Sequence, residues 1–330
     1  MSAIAVQREA RTVDLADRST YLGATDIAAI VGVNPPSYAQ AIDVYLEKTG
    51  QTIAREETIR MTWGTRLEDI IADAYTEQTG RALTRRGAVQ HRDFPFIVGH
   101  VDRIVRGEPG VFDAKSSLAA PGYGAPDSDQ VPPHVRVQMT VYMGLLGREW
   151  CDVALFRSTA RALDIYRIPF DAELYDALLA EAVRFWRENV ETGVEPEPDG
   201  SDAYRRHLAA KFPEAAEVEL VATPEQALLM DELRAAEQMA KDQKRHVAEL
   251  ENRIRAAMGA ASVLISPVGR ITWKAQKPSV RWKEVAGAIA EATGRELQAF
   301  VDADKKGRPN ERRLRKNWIG AEEEEEVTAA

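Results

Sequence analysis

Cysteine is almost absent from this chain. Its 330 residues include one, Cys151, which excludes an internal disulfide framework and a cysteine-rich zinc site. A lone thiol fits a reducing cytosol, and a small buried side chain is the expectation for it, not a nucleophile. No run reaches the roughly 18 consecutive apolar residues of a membrane span. The opening MSAIAVQREARTVDLADRS is charged too early and too evenly for a secretory signal. A cytoplasmic protein without a membrane partner is expected. A glycine-rich phosphate loop is missing as well, because Gly107-Glu108-Pro109-Gly110 has neither the GxGxxG spacing nor the Walker lysine. There is no internal repeat. Positive charge is also lacking: 43 Lys and Arg against 52 Asp and Glu leave a net charge of −9. On average such a chain repels phosphate.

What is present modifies that average. Hydrophobic residues make up 45% of the chain and charged residues 29%, enough for a packed core. Charge is unevenly placed: residues 262–318 hold 13 Lys and Arg against 6 Asp and Glu, a local +7, and Glu322 to Glu326 add −5. The basic cluster Lys305, Lys306, Arg308, Arg312, Arg313, Arg315 and Lys316, closed by Trp318, reads either as a DNA-backbone contact or as a solvated face. GVEPEPDGSD at 193–202 disfavours helix and strand alike. The expected organisation is a core at 1–192, a linker at 193–218, a helical and basic extension at 219–320, and an acidic disordered tail at 321–330.

Within the core, either Thr25 caps a helix over 26–31 or Ser19 or Thr20 begins a turn leading into it. Further helices are expected over 38–49, 61–79, 133–146 and 172–191, the first two closed where Gly50 and Gly80 follow. Strands are expected over 96–105 and 111–115, joined by Glu108-Pro109-Gly110, and a hairpin over 153–158 and 163–168. That order implies an α/β (α+β) fold with a mixed central sheet flanked by helices. After the linker, 224–258 reads as one long helix with Leu233, Ala240, Val247 and Ile254 every seven residues. A short strand at 271–274 and a helix at 282–293 follow.

The chemistry concentrates in Gly99-His100-Val101-Asp102 and Phe112-Asp113-Ala114-Lys115. Both acids fall on neighbouring strands, where pairing brings their carboxylates together. Two carboxylates at one point repel unless a cation or a proton shares the site. Lys115, two residues along from Asp113, points to the same face and can orient or deprotonate a water or stabilise charge on a phosphate. Oxygen ligands suit Mg²⁺, with Mn²⁺ as an alternative, and Glu68 offers a further carboxylate. The other Asp-x-Lys triplet, Asp242-Gln243-Lys244, reads as a solvated helix face. Trp63 and Trp186 read as packing residues.

These motifs resemble the PD-(D/E)xK nucleases, specifically the phage-type recombination exonucleases of the lambda exonuclease/YqaJ group. Arg18 before Gly23-Ala24-Thr25-Asp26, Trp63-Gly64-Thr65-Arg66-Leu67-Glu68, Gly99-His100-Val101-Asp102, Asp113-Ala114-Lys115 and Val137-Gln138-Met139-Thr140-Val141-Tyr142-Met143 follow in that family's order over roughly 18–190. One departure is Asp113, where many relatives carry Glu. The resemblance implies a restriction-endonuclease-like core. It implies that Glu68, Asp102 and Asp113 hold Mg²⁺ with the Ala114 carbonyl, and that Lys115 is catalytic. Gln138 stands beside the scissile phosphate with Tyr142 on the same helix, and Arg18 and Thr25 form a pocket for a 5′-phosphate. The implied activity is a 5′-to-3′ exonuclease on double-stranded DNA ends, in phage-type recombination. Its implied partners are a single-strand annealing protein and further copies of itself in a ring. Endonuclease action, another polarity, or a catalytically silent DNA-binding module are the alternatives.

Overall fold

The computed structural model describes residues 17–51, 59–117, 120–157, 163–214, 219–267, 269–274 and 282–294. The chain divides into two compact units, Met1–Lys211 and Phe212–Ala330.

The first unit opens with a single 3₁₀ turn at Arg18–Thr20, then strand β1 at Leu22–Gly23 and helix α1 at Ala24–Ile30. The cap of α1 differs from expectation. Gly23 is the N-cap, and the Asp26 carboxylate accepts the Gly23 N–H at 2.8 Å. Thr25 therefore sits exposed inside the first turn. An acid at the third helical position outcompetes the hydroxyl because it satisfies a backbone donor and opposes the positive end of the helix. Helix α2, Ala41–Lys48, is built the same way, with Asp43 accepting the Gln40 N–H at 2.9 Å. It starts three residues later than expected, so Tyr38 lies in the preceding turn. Helix α3 spans Ile59–Thr79 and ends at Gly80.

Strands β2 (Leu83–Gln90), β3 (Ile97–Val105) and β4 (Gly110–Ser116) follow. Helix α4, Pro133–Leu146, has the expected bounds: proline fits its first turn, and Gly147 leaves it at φ 60°. Strands β5 (Trp150–Phe156) and β6 (Asp164–Pro169) form the expected hairpin. Helix α5, Ala172–Phe185, is capped by Asp171 and runs into a π turn at Trp186–Val190.

The sheet order is β1-β3-β4-β5-β6, with β2 on β3. β1·β3 and β4·β5 are parallel and the remaining pairs antiparallel. This is the expected mixed sheet. A large apolar cluster joins it to α1, α2, α4 and α5. A smaller one, with Ile71, Ala72 and Tyr75 of α3 on Phe112 and Ala154, covers the opposite face.

The stretch expected as a linker carries a helix instead, α6 at Asp202–Lys211, with Ala203 and Tyr204 buried. Ser201 accepts the Tyr204 N–H at 3.0 Å, so a side-chain cap and two buried residues override the Pro- and acid-rich approach. The first unit therefore runs past 192 to Lys211.

The second unit contains helix α7 (Pro224–Met258), a hairpin of β7 (Val263–Ser266) and β8 (Gly269–Thr272), and helix α8 (Trp282–Thr293). Asp242, on α7, pairs with Arg245 on the same helix, the solvated face expected of it. The basic cluster from Lys305 to Trp318 and the acidic tail lie outside the described residues. Among the described residues, no helix is long and apolar enough to cross a membrane.

Candidate active site

The site begins with a fork in the sheet. One edge of β3 is paired along its length with β2. The other edge pairs with β1 only at Ile97 and Val98 and with β4 only at Arg103 and Ile104. Residues 99–102 lie between the two pairings. Continuing the β3·β4 register by one step would set Asp102 opposite Asp113, but the ladder stops at Arg103 and Phe112. There β4 stays with its parallel neighbour β5, which it pairs from Gly110 to Ser116. The Asp102 side chain fills the gap, accepting the Ala114 N–H at 3.4 Å. Ala114 is thus joined to the site through its N–H.

Helix α4 closes the fork from one face. Gly99 permits this approach, because a Cβ there would stand 2.8 Å from Leu145 and 3.1 Å from the Tyr142 ring. Along α4, Gln138 accepts a hydrogen bond from Lys115 Nζ at 3.1 Å and donates to the Tyr142 hydroxyl at 2.9 Å. Lys115 Nζ also stands 2.7 Å from Asp113 Oδ2. The Asp113 carboxylate is buried, and the lysine is its charged partner.

Electrostatics ties Glu68 to the same centre. It lies on α3, which packs on β4 through Ile71, Tyr75 and Phe112. Burial first, and then the Asp113 charge, raise the Glu68 carboxyl above its usual range, against the pull of Lys115. Asp102 is pushed up to about 7 by burial, then Asp113 and Glu68, again opposed by Lys115. Burial alone would lower Lys115, but the neighbouring carboxylates outweigh it and hold the ammonium above its ordinary value. Tyr142 is raised by burial and then by Asp113. The site therefore gathers more negative charge than its lysine balances. Buried carboxylates in excess of their one lysine, in an all-oxygen donor set, suit a hard divalent cation. Among the described residues, however, no three acidic, histidine or cysteine side chains converge on one point. Carboxylates without a shared cation repel, and Asp113 turns to the lysine.

Arg18 and Thr25 occupy the β1 side of the fork. The Arg18 guanidinium, about half exposed, reaches Asp26 Oδ1 at 3.3 Å and Glu47 at 3.7 Å. Asp26 is buried and also meets the fully buried Lys48 ammonium at 3.0 Å. Lys48 donates in turn to the Arg18 carbonyl at 2.8 Å. Tyr21 hydrogen-bonds His100 Nε2 at 2.7 Å. His100, two residues from Asp102, thereby belongs to this cluster; burial first, and then Arg18, lower its proton affinity. The Asp26–Lys48 pair is absent from the residues singled out by sequence, and only the buried third-position acid of α1 signals it.

Other residues separate as follows. Cys151 is buried, and burial pushes its thiol well up, as expected for a packing residue. Trp186 stacks on Phe96 with centroids 4.9 Å apart. Trp63 differs from expectation: it is 54% exposed, with Arg66 over its ring. Arg85 and Arg103 share Asp69.

Comparison with known proteins completes the picture. The chain is 27% identical over 252 residues to the uncharacterized protein YqaJ of Bacillus subtilis (strain 168), covering 74% of this chain and 77% of that protein. Among solved structures it is similar to an alkaline exonuclease, LHK-Exo, from Laribacter hongkongensis, at 19% identity and a TM-score of 0.41 over 59% of this chain and 95% of the other. A phage related exonuclease from Haemophilus somnus 129PT matches at 14% identity and a TM-score of 0.41, over 52% and 94% of the two chains. Residues 15–149, which contain every side chain of the fork described above, match the family model of the YqaJ-like viral recombinase domain.

Proposed function

We propose that this protein is a metal-dependent DNA exonuclease of phage-type recombination, with the restriction-endonuclease-like core of PD-(D/E)xK enzymes. The observation that carries this reading is the Asp102, Asp113, Lys115 and Gln138 cluster at the fork, within the residues that match the YqaJ-like viral recombinase domain. Glu68, Asp102 and Asp113, with the Ala114 carbonyl, would hold Mg²⁺ or Mn²⁺. That ion would supply charge to activate water and polarise the phosphodiester. Because Lys115 is held protonated, its part is to orient the attacking water and stabilise charge on the phosphate, not to remove a proton. Asp113 and Gln138 fix it from two sides. Tyr142 holds Gln138 in turn, which leaves the amide and the ammonium facing one phosphate group.

Arg18 and Thr25 would receive the 5′-phosphate at the β1 side of the fork. A guanidinium with a nearby hydroxyl suits a terminal phosphate. Polarity would be 5′ to 3′ on linear duplex, leaving a 3′ single strand for an annealing protein, in the host cytoplasm. A homo-oligomeric ring would let a subunit of net charge −9 stay on DNA by encirclement.

The test is digestion of linear duplexes labelled at the 5′ or 3′ end, with and without Mg²⁺, by wild type and Lys115→Ala. Metal-dependent release of the 5′ label first, lost in the variant, is expected. No digestion by wild type, or equal digestion by the variant, overturns the reading. Binding of 5′-phosphorylated ends without digestion would assign a silent end-binding module instead.

A further inference from the structure

Tyr38 is a large aromatic left 52% exposed, yet its backbone is tightly held. Its N–H donates to the Pro35 carbonyl at 2.9 Å. The buried Gln40 amide donates to the Pro35 and Tyr38 carbonyls at 3.0 and 3.1 Å. Asn34 donates to the Ala39 carbonyl at 2.8 Å. Pro35 and Pro36 further restrict the turn. A packing residue does not need such a mount, because it is already fixed by the core. An exposed ring on a braced turn is pre-organised for a ligand.

Its neighbour shows which ligand. The Tyr38 ring meets the His134 ring at 5.4 Å and 67°, an edge contact that leaves Tyr38 half exposed. His134 stands on α4 one turn before Gln138 and two before Tyr142, the i, i+4, i+8 face that holds Lys115. Burial, and then the Lys115 charge, lower its proton affinity. Tyr123 lies in the field of Lys115, Asp113 and Tyr38 together, and it packs on Tyr166 at 5.0 Å. An aromatic wall that includes the His134 imidazole thus borders the reaction centre beside Lys115.

We propose that Tyr38, braced edge-on by His134, is a stacking platform for the base of the nucleotide whose phosphodiester lies at Lys115. This rests on the DNA hydrolysis proposed above. Stacking on an aromatic face is indifferent to sequence, since every base has a π-face. That is the recognition an exonuclease needs, because each step presents a new base. The turn 34–40 fixes the ring before substrate arrives, so ordering it costs the complex little.

The experiment uses linear duplexes carrying 2-aminopurine at the 5′- or 3′-terminal nucleotide, bound by the full chain in Ca²⁺ in place of Mg²⁺. Wild type is expected to quench the probe at one end. Tyr38→Phe keeps the quenching, because the ring remains. Tyr38→Ala loses it and weakens end binding by about tenfold or more, and His134→Ala reduces it in part. Failure of wild type to quench either end, or full quenching and unchanged affinity in Tyr38→Ala, overturns the platform. Digestion in Mg²⁺ is scored separately. Quenching that depends on Tyr38 without any digestion supports the platform and overturns hydrolysis. Normal digestion and binding by Tyr38→Ala overturns the platform and keeps hydrolysis.

Discussion

The two sides of the fork each hold a lysine against an aspartate. On the β1 side, Lys48 stands 3.0 Å from Asp26; on the β4 side, Lys115 stands 2.7 Å from Asp113. The residue types are the same and both aspartates are buried. Their surroundings differ. Asp26 also receives Arg18 and the Gly23 N–H, and Lys48 also reaches a backbone carbonyl. Charge and hydrogen bonding are closed there, and the pair locks the turn before α1 onto α2. Among the described residues Asp113 pairs with Lys115 alone, and that lysine must also balance Asp102 and Glu68, both displaced toward protonation. An ion pair holds a fold when its other valences are filled. It is poised for chemistry when they are left for a substrate or a cation.

The sharpest way to break this comparison is to delete each lysine. Lys48→Met leaves Asp26 buried beside a half-exposed arginine. Removing one partner of a buried pair costs on the order of 3–5 kcal/mol, and denaturant midpoints should show most of that. The double variant Lys48→Met with Asp26→Leu should recover a large part. A Lys48→Met protein as stable as wild type would mean that Arg18 alone compensates Asp26.

Lys115→Ala should do the reverse. It strips buried Asp113 of its cation, but Asp102 and Glu68 are already displaced toward protonation, so the cluster can take up protons and the unfolding midpoint at mildly acidic pH should move less than that of Lys48→Met. Hydrolysis should fall by roughly 10²–10³, the range for losing one preorganised charge stabiliser. A midpoint shift as large as that of Lys48→Met would place Lys115 with the structural pairs.

How much of this contrast is legible in the sequence depends on range. Helix α4 is readable to the residue because Pro133 and Gly147 mark its ends locally. The Asp102–Asp113–Lys115 set is readable because a tight turn joins its strands. Strand β2, LTRRGAVQ, is not legible because Arg85-Arg86-Gly87 interrupt the apolar alternation of a strand in which Val89 alone is buried. Strand β1 is two residues long and has no periodicity to read. The Asp26–Lys48 pair joins residues on two helices, and nothing local tells such a lysine from a solvated one. Tyr38 was hidden in an expected helix, since only the side-chain bonds of Asn34 and Gln40 show that the turn continues to Ala41.

A third prediction sharpens the excess charge on the β4 side. The Asp102 carboxyl, pushed up to about 7 from a usual 3.8, binds its proton more tightly folded than unfolded. The contribution of this group to the stability of chelated protein should therefore be full below the unfolded value near pH 4. It should decline as pH rises toward 7, by at most about 4 kcal/mol for this group. Mg²⁺ should raise the melting temperature more at pH 8 than at pH 5.5, and Asp102→Asn should flatten both trends. A metal-free protein equally stable at both pH values would remove Asp102 from the charge cluster.

The smallest effect belongs to Arg18. Its guanidinium already shares Asp26 and Glu47, so a 5′-phosphate would compete with carboxylates for the same donors. A charge-assisted hydrogen bond is worth about 1.5–3 kcal/mol, and this competition argues for the lower end. Arg18→Ala should therefore cut the preference for 5′-phosphate over 5′-hydroxyl ends by about tenfold, measured as a ratio of initial digestion rates. Because Lys48 still compensates Asp26, folding should be nearly unchanged. Loss of stability together with an unchanged end preference would show that Arg18 serves the Asp26 lock and leaves the terminal phosphate to other residues.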